Sequence, residues 1–133
     1  MQPDEKHALS EYRLSRAEET LDDAKANLEQ ERYESAANRA YYAAFQALRA
    51  VLSLDGIDRK SHSGVIAEFR RLYVKTGFFQ SSISKTIDDL SHARNLSDYN
   101  DFYRTERDTA VKLVHGAETV VESVKAYLQS RNL

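Results

Sequence analysis

Cysteine and tryptophan are missing from this 133-residue chain, proline occurs once, at position 3, and glycine stands only at 56, 64, 77 and 116. Without cysteine there is no disulfide framework, no thiolate metal ligand and no cysteine nucleophile, a composition that suits a reducing cytosol. No apolar run approaches the roughly 20 residues that cross a bilayer, and Met1 to Lys6 lacks the basic-then-apolar order of a signal peptide. The expectation is a cytoplasmic chain with no membrane contact. Glycine-rich phosphate loops and nucleophile elbows are also absent. The adjacent carboxylates Asp22-Asp23 and Asp88-Asp89 would diverge by 100° on a helix, so neither a metal site nor a cofactor is expected.

So few breakers leave room for long helices, and the apolar spacing agrees. Leu14, Ala17, Leu21, Ala24 and Leu28 predict a first helix over about residues 8 to 31 with an acidic outer face. Ala37, Tyr41, Ala44, Leu48 and Val51 mark a second, ending at Asp55-Gly56. Ser61 caps a third, which carries Val65, Ile66, Phe69, Leu72 and Tyr73 toward Gly77. A fourth starts at Ser81 or Ser82 and loosens after Arg94. Thr105 and Asp108 resemble a capping box before a fifth, striped by Ala110, Leu113, Ala117, Val120, Val124 and Tyr127. No strand pattern survives. Short connections predict an all-α, up-and-down antiparallel bundle of about five helices forming one domain over residues 1–133. Its expected core includes Leu21, Tyr41, Phe45, Leu48, Phe69, Ile87, Leu90, Leu113 and Val120.

Ile83, Ile87 and Leu90 recur at helical spacing, and the next member of their stripe is Arg94. A guanidinium aimed at packed surface requires an acceptor, a partner surface or a ligand. Asp98 and Tyr99 are the expected neighbours. The second helix opens with small residues among aromatics, Ser35 to Phe45, where Asn38 falls on the face of Tyr41 and Tyr42 and buried phenols need acceptors. The net charge of −2 hides an uneven distribution: residues 32 to 75 hold eight Lys/Arg against four Asp/Glu. Any nucleic acid would therefore meet Arg39, Arg49, Arg59, Lys60, Arg70, Arg71 or Lys75.

Three separated segments, Ser35 to Phe45, Lys60-Ser61-His62-Ser63-Gly64 and Arg94-x-x-x-Asp98-Tyr99, resemble the HEPN superfamily, and within it the small UPF0332 group. The likeness covers roughly residues 12 to 128. It implies a helical homodimer, often paired with a minimal nucleotidyltransferase as half of a toxin–antitoxin system, and in many members a metal-independent ribonuclease. The family signature is an arginine, four to six residues, then histidine. Here Arg94 matches the arginine and Asn95 the polar residue after it, but the histidine position falls on Tyr99 and the following tyrosine position on Asp101. A phenol with a reference pKa near 10 is a poor base at neutral pH, although it can donate a hydrogen bond.

Among the histidines, His7 falls in an expected frayed terminus, His115 on a helix face, and His92 about 160° from Arg94. His62 opens the third helix and is the one candidate for the cleft. The expected polar cleft therefore holds Asn38, Tyr42, His62, Arg94, Asn95, Asp98 and Asp101, with Arg94 and Tyr99 as the catalytic candidates. Two functions follow from the resemblance: a dimeric component that binds protein, RNA or nucleotide, or a ribonuclease with an Arg-x4-Tyr motif.

Overall fold

The computed structural model describes residues 2–131, which fold into α1 (Pro3–Glu29), α2 (Tyr33–Leu54), α3 (His62–Phe69), α4 (Ser81–Tyr99) and α5 (Arg107–Arg131). Among the described residues there is no strand, and no helix is long and apolar enough to cross a membrane. Helices α1, α2, α4 and α5 run alternately up and down. Ser10 near the start of α1 donates to the Ala50 carbonyl late in α2, at 2.7 Å, and Arg104 just beyond α4 reaches Glu34 at the start of α2. Helix α2 packs on α1, α3, α4 and α5, whereas the co-directional α1 and α4 do not touch. The short α3 lies within the α2-to-α4 connection and continues into one π turn, Arg70–Val74.

An alanine stripe explains the central position of α2. Ala36, Ala40, Ala43, Ala47 and Ala50 step by four and three and are fully buried, so a neighbouring backbone can come close along that side. Its large residues Tyr41, Phe45 and Leu48 are buried on other flanks. The expected core residues are all inside, from Phe69 and Val120 at 0% exposure to Phe45 at 7%. Burying a side chain such as Leu48 contributes about 2 kcal/mol by transfer from water.

Some boundaries differ from the expected ones. Helix α1 begins at Pro3, not near residue 8, because proline suits the first helical position and Asp4 and Glu5 favour the positive end of the dipole. His7 is consequently helical, with its Nε2 2.9 Å from Glu11 Oε1, and not in a frayed end. Helix α4 ends after Arg94, as expected, at Tyr99, its last turn supported by an Arg94–Asp98 pair at i,i+4. Helix α5 starts at Arg107, with the Ala110 amide donating to the Glu106 carbonyl, so the Thr105–Asp108 capping box is out of register by one residue. Ser61 caps α3 as expected, accepting from the Gly64 amide at 3.0 Å.

Candidate functional site

Ile83, Ile87 and Leu90 point into the core, and one turn later Arg94 emerges at its rim with 27% of its side chain exposed. Its guanidinium carbon lies 5.1 Å from the centre of the Tyr41 ring and 5.7 Å from that of Tyr42. The stripe thus delivers the charge onto aromatic faces, where the ring quadrupole attracts it by about 1 kcal/mol. Asp98 Oδ2 stands 3.4 Å from Nε, an ion pair outside hydrogen-bond geometry, so the buried Nε has no hydrogen-bond partner. Burial alone would lower the pKa of Arg94, but Tyr42, Tyr41 and Asp98 outweigh it and hold the guanidinium charged.

His62 joins this group from the start of α3. Its Nδ1 is 2.8 Å from the Tyr41 hydroxyl, and its ring stacks on Phe45 with centroids 4.2 Å apart. Burial keeps Tyr41 protonated to higher pH than a free phenol, and its hydroxyl pairs with Nδ1, donating or accepting according to the imidazole tautomer. The pKa of His62 is lowered, first by burial and then by the positive charges of Arg94 and Arg49. Tyr41, Phe45 and Arg49 recur every fourth residue along α2, and the Arg49 guanidinium lies 5.9 Å from the Phe45 ring. An aromatic floor therefore carries one imidazole and two guanidiniums.

The other expected residues are distributed around this floor. Tyr42 is half-buried between two cations, with Arg39 at 5.1 Å on its ring besides Arg94. Asn38 does not bond the tyrosine hydroxyls; its Oδ1 accepts from Arg39 at 2.8 and 3.2 Å. Together with Asn27, Glu34 and Ser35, that pair lines an open groove of about 350 Å³. Asn95 and Asp98 are exposed on α4, Asp98 on the Arg94 side. Tyr99, the last residue of α4, is 86% exposed, and Asp101 lies in the exposed turn after it. His92 and His115 are exposed helix-face residues. Among the described residues no cluster of histidine and carboxylate could hold a metal ion.

Most of the central basic residues are engaged within the bundle. Arg59 and Arg71 share Glu68, at 3.5 and 3.0 Å, and Arg70 donates to the Ser84 carbonyl and to Asp88. Arg49 differs in having only an ion-pair contact with Asp58, at 3.6 Å; its buried Nε, like that of Arg70, has no partner. Sequence reasoning counted Arg49 among basic residues without seeing that the Tyr41–Phe45–Arg49 spacing sets it on the aromatic face. That four-residue repeat was the available signal.

A family model described as HEPN domain matches residues 10–127. The chain belongs to the HEPN family. It is 35% identical over 125 residues to a UPF0332 protein of Thermotoga maritima, covering 94% of this chain and 95% of that one. It is also 28% identical to a Methanocaldococcus jannaschii protein named "Putative toxin", covering 90% of this HEPN chain and 82% of that relative. A crystal structure of an archaeal HEPN homologue superposes with a TM-score of 0.70 at 21% identity, over 88% of this chain and 95% of that one, which shows the shared fold.

Proposed function

We propose that this chain is the toxin-type component of a toxin–antitoxin pair, a homodimer that binds RNA or a nucleotide at the Arg94 cleft and has a minimal nucleotidyltransferase as its cognate partner. The single observation that carries the ligand reading is Arg94 itself: a half-buried guanidinium seated on Tyr41 and Tyr42, imperfectly paired with Asp98, whose buried Nε has no partner. A phosphate offers the charge-assisted, bidentate acceptor that this planar donor set lacks. The toxin role rests on the relatives that carry that name. The dimer reading draws on Tyr99 and Phe102, 86% and 94% exposed beside the same end of α4, where a second copy would remove aromatic surface from water.

Binding is favoured over cleavage by the Arg-x4-Tyr motif because Tyr99 stands in solvent while Arg94 faces the rings of α2. The test is purification alone and together with the product of the neighbouring gene. Light scattering should give twice the chain mass of 15.2 kDa for the protein alone and a stoichiometric complex for the pair. A monomer at tens of micromolar, or cleavage of RNA that depends on Tyr99, would overturn the reading.

A further inference from the structure

Five arginines are half-buried: Arg13, Arg39, Arg49, Arg70 and Arg94. Three of them donate hydrogen bonds within the described residues, Arg13 to Ser53, Arg39 to Asn38, and Arg70 to Ser84 and Asp88. Arg49 has only its ion pair with Asp58, and Arg94 has only the Tyr41 and Tyr42 hydroxyls beside its ion pair with Asp98; these are the two arginines whose charges bear on His62. Partly desolvated guanidiniums with so few acceptors are costly, and the cost falls on one side of one imidazole.

We propose that Arg94, His62 and Arg49 form a linear anion track along α2 that takes two linked phosphates, as in single-stranded RNA or a nucleoside polyphosphate, and that His62 gains a proton as they bind. This rests on the reading that the Arg94 cleft receives a nucleic-acid or nucleotide ligand; Arg49 and His62 extend it. Arg94 sits over the Tyr41 ring and Arg49 over the Phe45 ring, two rings whose centres are 6.1 Å apart, with His62 stacked on Phe45. Two linked phosphates can meet one guanidinium each.

The imidazole has Nδ1 paired with Tyr41, which leaves Nε2 for this track. Two cations now disfavour its protonation, and two phosphate charges arriving beside it would reverse the balance. The groups facing His62 are Tyr41, Tyr42 and Arg49 from α2 and Arg94 from α4, with Asp98 behind Arg94 and Asp58 behind Arg49. Asp98 and Asp58 are 41% and 70% exposed and pair with the arginines at the protein surface. Binding should consequently be tightest at low pH and weaken as pH rises past the titration of the bound imidazole.

The test is a proton NMR titration of the His62 ring in the full chain, run free, with inorganic pyrophosphate, and with a short oligouridylate whose diester phosphates do not titrate near neutrality. The free ring should titrate below the ordinary histidine value, and each ligand should move it up. Arg49→Gln and Arg94→Gln should each weaken oligouridylate binding by about tenfold, and His62→Gln should flatten the pH dependence of what binding remains. Melting curves check that the variants are folded, and the wild-type titration needs no variant. An unmoved His62 with bound oligouridylate, or Arg49→Gln binding as tightly as wild type, overturns the track while leaving RNA binding at Arg94 intact. Pyrophosphate moving His62 without oligouridylate binding keeps the track and removes RNA as the ligand. No binding of either overturns both.

Discussion

Among the arginines that lie over tyrosine rings, Arg131 at 5.7 Å from Tyr127 and Arg94 at 5.1 Å from Tyr41 are treated differently by their surroundings. Arg131, near the end of α5, donates to both Asp55 oxygens at 2.8 and 3.3 Å and to the Tyr127 hydroxyl at 2.9 Å. Asp55 also accepts from Tyr73, so α2, the π turn and α5 are tied at one end of the bundle. Burial pushes the Asp55 carboxyl up, but Arg131 and Tyr73 outweigh it and hold the pKa below the ordinary value. At the other end Arg94 has two rings and an imperfect ion pair. The same side chain in the same kind of seat is a closed structural clasp in one place and an open donor set in the other. That difference, more than the presence of arginine, marks the candidate site.

The contrast can be broken in graded ways. The largest effect is expected from Phe45→Ala, which removes the floor under His62 and a side chain only 7% exposed. It should cost about 3 kcal/mol in urea denaturation through the cavity it leaves. Next, Arg131→Ala should lower stability by about 1 to 2 kcal/mol, discounted because both partners are about a third exposed. Arg94→Gln, measured the same way, should lower stability by no more than about 1 kcal/mol, the worth of its seat on the two rings. Equal losses in the two variants would remove the distinction between clasp and open site.

The smallest effect concerns pH. The folded-state pKa of His62 lies below its unfolded value, so between the two the unfolded chain binds more protons and stability rises with pH. The contribution is complete above about pH 6.5, the ordinary histidine value, and is lost as pH falls through the folded pKa. His62→Gln should remove that part of the slope in chemical denaturation from pH 5 to 8, and an unchanged slope would show that the imidazole is not held neutral.

Helix count and core were legible because periodicity is a local signal: Leu113 to Val124 or Ile83 to Leu90 state their buried face without help from the rest of the chain. Boundaries set by short-range chemistry were less so, as at Pro3 and at the start of α5. The direction of Arg94 toward packed surface was also legible, and so was Asp98 as its carboxylate neighbour. What it would meet was not, because the Tyr41 and Tyr42 rings come from a helix some fifty residues earlier and a cation on a ring leaves no spacing rule in the sequence. The approach of His62 to Arg94 is a tertiary fact of the same kind. Tyr99 illustrates the converse: the motif register placed it in line with Arg94, whereas five residues along a helix turn a side chain well away from the first, and it stands in solvent.

The most direct test of an open donor set at Arg94 compares oligoribonucleotide binding by wild type, Arg94→Gln and Arg131→Gln at one fixed low salt concentration, because the three share nearly the same net charge. Wild type should bind measurably, Arg94→Gln about tenfold more weakly while remaining folded, and the folded fraction of Arg131→Gln with wild-type affinity. Equal weakening by both substitutions, or no binding by wild type, would contradict an open donor set.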